Sequence, residues 1–591
     1  MTFAAEWMKE FAAAMTAGDA RAAVAVMEVD SHWRDLLAFT WHLYTVSGRE
    51  KIERAWERTL PDLQPRDFQI SAVNPPRRVV RAGLDIIEVD FAFETEVGEC
   101  SGVARIREDA SGAMRAWTLM TNLEEIRGHE EHVGARRPRG EEYSRSFGGP
   151  NWLDRREAAV RYADHEPEVL VIGGGQCGLA VAARLGQIDV DTLIIERNER
   201  IGDNWRNRYH SLTLHNQTWV NHLPYLPFPE TFPVYIPKDK LANWFELYAE
   251  AMELNVWTGT EFLGGSFDED AGRWNVTVRT EDVVRTLHPA HIVMAAGVSG
   301  RATQPDMPGL NEFEGSVTHA ANFTSGAAYQ GRNVVVFGTG NSGHDLAQEL
   351  HASGANVTMV QRGSITVSNV EPSQVIYSIY GEGLSTAIAD RLVLASPYDA
   401  IVLGFQELTR WLQEPNQELI DGLNQIGMLT DDGHDQTGFQ MKYMRRGGGY
   451  YLNVGCSELL INGDVELIHR GDIERIASQG IQMHDGTVVD ADDLMFAIGY
   501  ENQSEMVRGL FGDAVADRVG KIWGWDEGGE VANMWKRTSQ PNLYFHAGSL
   551  AQGRILSKHI ALLIKARQLG MIEAGVPERP DVAERALTAA D

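Results

Sequence analysis

Two glycine-rich turns contain the residues whose types and spacing can do chemistry in this chain. The first, "VLVIGGGQCG", and the second, "VVVFGTGNSG", each follow an apolar stretch and precede a helical pattern. The motif glycines are Gly173, Gly175 and Gly178 in the first turn and Gly338, Gly340 and Gly343 in the second. This spacing lets the backbone approach a pyrophosphate at a helix N-terminus. Each turn therefore predicts a dinucleotide-binding site.

The residue that ends the second strand of each unit distinguishes the two turns. Glu196 ends the strand "TLIIE", about twenty residues after the first turn, where its carboxylate can bond a ribose 2′-hydroxyl. The second unit ends its strand in Gln361 and Arg362 with no acid, and a guanidinium can pair with a 2′-phosphate. We therefore predict NADPH at the second turn. A reduced nicotinamide beside another dinucleotide indicates hydride transfer to a flavin, so we predict FAD at the first.

The elements that must position these turns indicate an α/β fold. We expect two Rossmann-like dinucleotide-binding domains, with the NADPH-binding domain inserted in the FAD-binding domain. The predicted boundaries are 1–130 for an α+β domain, 131–165 for a linker, 166–324 and 485–575 for the two parts of the FAD-binding domain, 325–484 for the NADPH-binding domain and 576–591 for a C-terminal tail. Apolar helical segments within 365–455 exceed what an NADPH-binding domain needs. They either cover a substrate or serve packing alone.

Composition excludes several functional classes. The net charge of −30 at pH 7 repels polyanions, so nucleic acid is not an expected partner. Cys100, Cys177 and Cys456 are too far apart for a redox pair or a cysteine zinc cluster, and no metal site is predicted. No segment approaches the roughly 18 apolar residues of a membrane span, and the first helix carries charges unlike a signal peptide. We therefore expect a cytoplasmic protein without a membrane partner.

The segment "FEGSVTHAANF" lies between the two turns and matches FxGxxxHxxx(F/Y), the fingerprint of the class B flavin-containing monooxygenases. The chain resembles this family from about Glu168 to Gly570. "GDNWRNRYHSLTLHNQ" is similar to a segment of its auxin-forming branches. "MAAGVSGRATQPDMPGL" and "LMFAIGY" are similar to its two interdomain crossovers, although Ala296 and Ile498 stand where threonine is usual. Phe323 stands where the related Baeyer–Villiger monooxygenases carry tryptophan.

The resemblance implies cofactor contacts outside the glycine turns. Trp205 and Arg206 would lie along the flavin. Arg554 and Ser557, near the N-terminus of the last helix, would present positive potential to the N1–C2 edge of the reduced flavin.

The resemblance also implies candidate catalytic residues. His215 and Asn216 fall near the position where the family places an asparagine over the flavin, although loop packing explains them nearly as well. His319, within the fingerprint, would couple the two domains while NADPH binds, and the alternative is a buried histidine bonded to backbone at a domain joint. The segment "MKYMRRGGGYYLNVG" either closes over the nicotinamide or substrate, or is a surface turn.

The activity that the resemblance implies is monooxygenation. NADPH reduces FAD, oxygen adds to give a flavin C4a-peroxide, and one oxygen atom passes to a small organic substrate. The fingerprint favours oxygenation of nitrogen or sulfur. Baeyer–Villiger oxygenation of ketones, or oxidative decarboxylation of a 2-oxo acid, is the close alternative, because family members with an N-terminal extension, the type II group, include Baeyer–Villiger catalysts.

Three rival functions use the same paired fold. A disulfide reductase needs two neighbouring cysteines, and their spacing here excludes it. An NADPH oxidase would release hydrogen peroxide instead of oxygenating a substrate. A binding protein with a vestigial flavin site would purify without a yellow colour, although two intact glycine turns argue against it.

Residues 1–130 form the remaining unit. Helical patterns such as "GREKIERAWERTL" are followed by alternating segments such as "DIIEVDFAFETEV" and "CSGVARIRED", which predict antiparallel strands. With "HWRDLLAFTWHLYTVSG", this unit resembles the NTF2-like, or SnoaL-like, superfamily. It is expected to serve packing or dimerisation, which makes a homodimer the expected assembly. A pocket with its own chemistry is the alternative.

Overall fold

The computed structural model describes residues 2–109, 111–140, 143, 145, 147–297, 300–577 and 579. Most of the predicted tail over 576–591 lies outside these residues, as do positions 298 and 299 of the first crossover segment. In the part of the chain described, the strands form a seven-stranded N-terminal sheet, two five-stranded parallel sheets and three smaller sheets. The two parallel sheets carry the glycine turns, so they position the candidate site.

The N-terminal unit packs helices against its seven-stranded sheet. Its elements are α1 (Thr2–Thr16), α2 (Ala20–Ala25), β1 (Met27–Leu36), β2 (Leu43–Ser47), α3 (Arg49–Leu63), β3 (Arg66–Ile70), β4 (Arg77–Arg81), β5 (Leu84–Glu94), β6 (Gly98–Glu108) and β7 (Met114–Ile126). The order is β2-β1-β7-β6-β5-β3, with β4 also paired to β5. Trp7 stacks on Phe11, and Phe11 meets Trp56 of α3 edge-on, which fixes the two helices together. Membership of the NTF2-like superfamily stays a prediction.

The predicted linker contains a helix, α4 (Trp152–Arg161). Asn151 and Asp154 form a reciprocal capping box at its N-terminus. The helix lies on the neighbouring unit, where Trp257 Nε1 donates to Val160 O at 2.7 Å. The charge-rich composition concealed this helix, because none of its residues is buried and it has no apolar face to the core. The segment is a packed connection.

The first dinucleotide unit surrounds a parallel sheet of order β10-β9-β8-β14-β25. Its elements are β8 (Val169–Ile172), α5 (Gln176–Gly186), β9 (Thr192–Ile195), α6 (Asp203–Arg206), α7 (Lys238–Ala251), β10 (Asn255–Trp257), β11 (Thr260–Asp268), β12 (Arg273–Thr280), β13 (Val283–Leu287) and β14 (His291–Met294), with β25 (Leu543–Phe545) and α16 (Leu550–Gln568) returning from the C-terminal end. Strands β8, β9 and β14 are buried along their whole length, as expected where helices cover both faces of a parallel sheet.

The second dinucleotide unit surrounds a parallel sheet of order β15-β24-β16-β17-β20. Its elements are β15 (Ser316–His319), β16 (Asn333–Phe337), α8 (Asn341–Ala352), β17 (Asn356–Gln361), β18 (Thr366–Asn369), α9 (Val370–Ser373), α10 (Thr386–Leu394), α11 (Tyr398–Gln425), α12 (Gly438–Arg446), β19 (Tyr450–Asn453), α13 (Cys456–Asn462), β20 (Glu466–His469), β21 (Ile473–Ala477), β22 (Gly480–Met483), β23 (Val488–Asp490) and β24 (Asp493–Phe496). The chain then returns through α14 (Gln503–Phe511) and α15 (Asp513–Val519).

Strand pairing extends the second sheet beyond the predicted boundaries at 324/325 and 484/485. β15 pairs with β24, and β24 pairs with β16, in parallel. The second unit therefore includes β15, which was assigned to the first part of the FAD-binding domain, and β24, which was assigned to its second part. Strands of four residues carry no signal for the sheet that they join, so only the tertiary pairing decides their membership. The insertion itself is as predicted.

The helical segments within 365–455 include α11, the 28-residue helix that follows α10.

None of the described helices has both the length and the apolar composition needed to cross a membrane.

Candidate functional site

The two glycine turns have the same backbone shape. Gly173 and Gly338 open them with φ of 109° and 115°. A Cβ on Gly178 would overlap the carbonyl oxygen of Gly173, and one on Gly343 would overlap that of Gly338. The first and third glycines of each motif are therefore required by the chain itself.

The middle glycines are required by neither backbone conformation nor internal packing. Gly175 and Gly340 have φ of −79° and −78°, which any residue adopts. A Cβ on Gly340 would meet nothing closer than Tyr450 O at 3.9 Å, and one on Gly175 would meet only Asn204 Nδ2 at 3.2 Å. Gly175 lies at the N-terminus of α5, and Gly340 lies at the N-terminus of α8. A ligand that comes close to the backbone there explains the glycines, and a pyrophosphate fits such a cradle.

Glu196 lies where its carboxylate was predicted, at the end of β9 and beside the first turn. Gly174 N donates to Glu196 Oε2 at 2.8 Å, and Asn198 N donates to Oε1 at 2.9 Å. The buried carboxylate thus fixes the turn to the neighbouring strand. Its role toward a ribose stays a prediction.

The corresponding strand of the second unit ends differently. Gln361 is buried and turned toward Leu429, to which it donates and from which it accepts a hydrogen bond, at 2.8 and 2.9 Å. Arg362 follows it on the surface. The second turn therefore has an exposed guanidinium and no carboxylate at this position, which suits a 2′-phosphate.

Trp205 and Arg206 lie together in the short helix α6. Trp205 Nε1 is buried and has no hydrogen-bond partner among the described residues, so this donor is suited to a bound ligand. Arg206 is instead held within the protein, with ion pairs to Asp203 at 2.8 Å and Glu246 at 2.6 Å. The structure thus supports a ligand contact for Trp205 more directly than for Arg206.

The N-terminus of α16 lies against the first turn, where Gln176 Nε2 donates to Gly548 O at 3.1 Å. Arg554 is buried and binds Asp390 of α10, at 2.7 Å between Nη2 and Oδ1. Its Nη1 also donates to His222 O at 2.7 Å, and Ser557 Oγ donates to Arg554 O. Both predicted flavin contacts are therefore bonded to protein groups, and Arg554 holds the 220–222 loop against α10.

His215 and Asn216 are covered by the 3₁₀ helix Gln374–Gly381. The Asn216 side-chain amide donates to the Tyr377 hydroxyl, and Gln374 Nε2 donates to His215 O at 2.9 Å. Burial lowers the pKa of His215 to about 4, so its imidazole is neutral near pH 7. The loop is packed, as in the alternative interpretation of these two residues. It also places Asn216 in a hydrogen bond with Tyr377, a partner that the sequence did not indicate.

Three tyrosines occupy the space between the two turns. Tyr443 donates to Gln552 Oε1 in the first turn of α16 at 3.0 Å, and it interacts electrostatically with Tyr377 and Tyr450. Tyr450 hydrogen-bonds Asn341, the first residue of α8 in the second turn. Burial raises the pKa of all three phenols, that of Tyr450 to about 12, so each keeps its proton. The "MKYMRRGGGYYLNVG" segment is thus no simple surface turn, because it links the two nucleotide sites.

His319 lies at the joint between the two units, at the end of β15. Its Nε2 donates to Gly499 O at 3.2 Å, and its Nδ1 accepts from Ala321 N at 3.0 Å. Burial lowers its pKa. Both ring nitrogens are therefore engaged with backbone, which agrees with a joint residue and leaves neither nitrogen for a substrate proton in this conformation.

A second contact crosses the same joint. Tyr209 of the first unit donates its hydroxyl proton to the carboxylate of Asp345 in α8. Beside it, Arg208 donates to the Tyr500 hydroxyl at 3.1 Å, and the ring of Tyr500 lies edge-on to His319. The relative position of the two nucleotide sites is thus fixed by side chains from both units and by Tyr500 of the second crossover.

The cysteines cannot carry dithiol chemistry. Cys100, Cys177 and Cys456 are free, buried and in different elements, β6, α5 and α13. Burial raises the pKa of each thiol, that of Cys177 to about 12, so the reactive thiolate is absent near pH 7. The structure thus combines two dinucleotide turns, two parallel sheets with one inserted in the other, and three cysteines that cannot form a dithiol. This fold and site define an oxidoreductase that uses two dinucleotides without a redox disulfide.

Comparisons with known proteins agree with this class. Residues 170–407 match the family described as pyridine nucleotide-disulphide oxidoreductase. The probable indole-3-pyruvate monooxygenase YUCCA4 of Arabidopsis thaliana is 30% identical over 339 residues, covering 57% of this chain and 76% of that protein. The indole-3-pyruvate monooxygenase YUCCA1 of Oryza sativa subsp. japonica is 29% identical over 353 residues, covering 59% and 80%. The chain belongs to the flavin-dependent monooxygenase family and is an enzyme of that class.

A solved structure shows the same fold. The complex of OTEMO with FAD and NADP superposes with a TM-score of 0.51 at 16% identity, over 68% of this chain and 86% of that chain. At this identity the likeness concerns the fold alone. It agrees with the two inserted parallel sheets described above.

Proposed function

We propose that this chain uses NADPH and O2 to insert one oxygen atom into a small organic substrate, with FAD at the first turn and NADPH at the second. The observation that carries the cofactor assignment is the pair of middle glycines, Gly175 and Gly340, whose lack of a side chain a closely approaching ligand explains. When bound, FAD supplies oxygen activation and NADPH supplies the hydride. Glu196 holds the first ribose, and Arg362 binds the 2′-phosphate of the second dinucleotide.

The protein residues between the turns control protons. Tyr377, Tyr443 and Tyr450 keep their hydroxyl protons, and His215 stays neutral, so this group includes no base that titrates near pH 7. Such a site donates hydrogen bonds to the reacting oxygen and does not remove its proton. Electrophilic oxygen transfer to a nitrogen or sulfur atom needs the proton kept, so we propose this chemistry first.

Oxygenation of a carbonyl substrate is the second candidate, supported by the named relatives. YUCCA4 and YUCCA1 are named as monooxygenases of indole-3-pyruvate, a 2-oxo acid. That chemistry requires nucleophilic attack on the carbonyl, for which the reacting oxygen must lose its proton. Ketones undergoing Baeyer–Villiger oxygenation belong to the same class.

Product analysis under ¹⁸O2 tests both candidates. The FAD-loaded enzyme is supplied with NADPH and, in separate reactions, an aryl sulfide, a tertiary amine, a cyclic ketone and a 2-oxo acid. One ¹⁸O atom per NADPH in a sulfoxide or N-oxide supports the first candidate, and a labelled ester or decarboxylated acid supports the second. Stoichiometric hydrogen peroxide without labelled product in any reaction would contradict monooxygenation and indicate an NADPH oxidase.

Tyr377 provides the matching variant. Tyr377→Phe removes the hydroxyl that accepts from Asn216, and product per NADPH should fall about threefold or more, with hydrogen peroxide making up the difference. Tyr162→Phe is the control, because its buried hydroxyl binds Asp191 at 2.7 Å outside the site. Equal coupling in both variants would remove Tyr377 from the site.

A further inference from the structure

The segment 374–394, defined here as the wall segment, covers one side of the candidate site. It comprises the 3₁₀ helix Gln374–Gly381, a short connection and α10. Its first part contacts the His215–Asn216 loop through Gln374 and Tyr377, as described above. Tyr380 donates to Asp390 Oδ1 at 2.6 Å, and Asp390 binds Arg554 of α16. The wall segment thus joins the candidate catalytic loop to the helix at the first turn.

Arginines of the N-terminal unit hold the C-terminal end of α10. Arg105, which is 2% exposed, donates through Nη2 to Leu392 O at 2.8 Å and through Nη1 to Ala395 O at 3.3 Å. Arg34 donates through Nη1 to Leu394 O at 2.8 Å. The last carbonyls of a helix lack partners within it and carry partial negative charge. Two guanidinium groups from another unit therefore satisfy them and fix α10 in place.

Ion pairs hold two further points of the wall segment. Arg77 and Arg81 of β4 both bind Glu382, at 2.7 and 2.6 Å. In the opposite sense, Arg391 of α10 binds the buried Asp90 of β5 at 2.8 Å. The contacts therefore extend from the connection before α10 to its last turn.

Charge and burial distinguish this interface from simple packing. Arg105 and Glu88 are fully or almost fully buried and bind each other at 3.2 Å. Buried charged groups cost desolvation free energy unless their hydrogen bonds are satisfied, so they tolerate little displacement of their partners. Arg105 also bonds Leu392 O of the wall segment, and Arg77 and Arg81, which pair Glu88, also bind Glu382 of that segment. The position of the wall segment therefore depends on the N-terminal unit.

We propose that the N-terminal unit is a positioning domain of the active site, which holds the wall segment against the His215–Asn216 loop and thereby sets the binding of the organic substrate. The inference rests on the proposed function for its effect on catalysis. This positioning role is additional to the packing or dimerisation role expected from sequence, which stays a prediction. Arg34, Arg81 and Arg105 are positioning residues, since they act through the wall segment.

The test uses the full-length, FAD-loaded enzyme and a pair of matched variants on β4. Arg81→Gln removes one of the two ion pairs of Glu382, which keeps its pair with Arg77. Arg77 and Arg105 still pair Glu88, so we expect the chain to fold. Arg78→Gln is the control, since Arg78 lies on the same strand but binds Asp85 of its own hairpin at 2.6 Å. Hydrogen exchange over 374–394 and the KM values for organic substrate and NADPH are measured for each.

We expect exchange over 374–394 to rise about tenfold in Arg81→Gln, and the KM for organic substrate to rise about three- to tenfold with the KM for NADPH unchanged. Arg81→Lys should restore much of both, and Glu382→Gln, which loses its pairs with Arg77 and Arg81, should raise both at least as much as Arg81→Gln. Arg78→Gln should match the wild type. Unchanged exchange in Arg81→Gln and Glu382→Gln would overturn the positioning of the segment, and raised exchange with an unchanged substrate KM would overturn its link to substrate. A wild type that oxygenates none of the substrates would contradict the proposed function instead, and hydrogen exchange would still decide whether the N-terminal unit holds the segment.

Discussion

The two dinucleotide turns share one backbone and differ in the side chains around it. Gly173 and Gly338 have nearly the same φ, and the third glycine of each turn fits against the first. Around the first turn a carboxylate, Glu196, fixes the turn to its strand, whereas around the second Gln361 turns away and leaves Arg362 exposed. The backbone shape is therefore common to the two turns, and we propose that the residue at the end of the second strand of each unit selects the dinucleotide.

The helices that follow the turns differ as well. Two positions beyond the third glycine, α5 has the buried Ala180 and α8 has Asp345, which binds Tyr209 of the other unit. The first helix is thus a packing element pressed against α16, and the second also transmits the position of one unit to the other. This difference shows that the same local motif serves two roles according to what it packs against.

The largest expected effect is a loss of stability in Gly343→Ala, which distinguishes the third glycine of the second turn from the middle one, Gly340. Gly343→Ala places a Cβ on the carbonyl oxygen of Gly338, and the backbone cannot move aside without opening the turn. We expect a loss of more than about 3 kcal/mol in the free energy of unfolding. Gly340→Ala should change that free energy by less than about 0.5 kcal/mol and weaken NADPH binding about tenfold or more. Urea unfolding and NADPH titration check both, and full NADPH affinity in Gly340→Ala would refute the cradle.

The next effect concerns the choice of dinucleotide. Arg362→Ala removes the exposed guanidinium, so the KM for NADPH should rise about 10- to 100-fold, because a charge-assisted bond to phosphate is lost. The KM for NADH should stay constant, since NADH has no 2′-phosphate. Arg410→Ala removes an exposed arginine of α11 from the same unit and serves as the control. A parallel rise for NADPH and NADH would show that Arg362 acts on the fold and not on the phosphate.

Sequence predicted the turns and their strands because each is a local pattern. A glycine triplet, the apolar strand before it and the acid at the end of the next strand all lie within about 25 residues, and their geometry follows from chain stereochemistry. The position of Glu196 beside its turn is one result. The insertion of one unit in the other follows from the order of the two turns along the chain.

The remainder of the site depends on long-range contacts that carry no local signal. Asn216 meets Tyr377 across 161 residues, and Arg554 meets Asp390 across 164. The three tyrosines come together only when α12 and the wall segment fold over the turns. The predicted boundaries at 324 and 484 separate β15 and β24 from β16 for the same reason, because the sheet that such four-residue strands join is decided by pairing.

A smaller effect tests the carboxylate of the first turn. Glu196→Gln keeps one acceptor for Gly174 N but directs amide protons toward the donors of Asn198. We expect the Kd for FAD to rise about tenfold and the KM for NADPH to stay constant. Equilibrium dialysis followed by flavin absorbance measures the first quantity.

Gln361→Glu is the reciprocal change, and it should leave the enzyme selective for NADPH because that side chain faces Leu429. Conversion of Gln361→Glu to NADH selectivity would contradict the orientation of Gln361.

The smallest effect concerns Asp345, where the second helix departs from the first. Burial raises the pKa of Asp345 to about 6, from an ordinary value near 4. The folded protein thus keeps this proton to a higher pH than the unfolded chain, so the contribution to stability is complete below about pH 4 and lost as the pH rises to about 6. Asp345→Asn cannot titrate, and its amide oxygen still accepts from Tyr209. The free energy of unfolding of the wild type, relative to Asp345→Asn, should therefore fall by an amount on the order of 1 kcal/mol between pH 4 and pH 6 and stay level above pH 7. Urea unfolding across this range measures the difference. A difference independent of pH would mean that folding leaves the pKa of Asp345 unchanged, and it would contradict the raised pKa expected from burial.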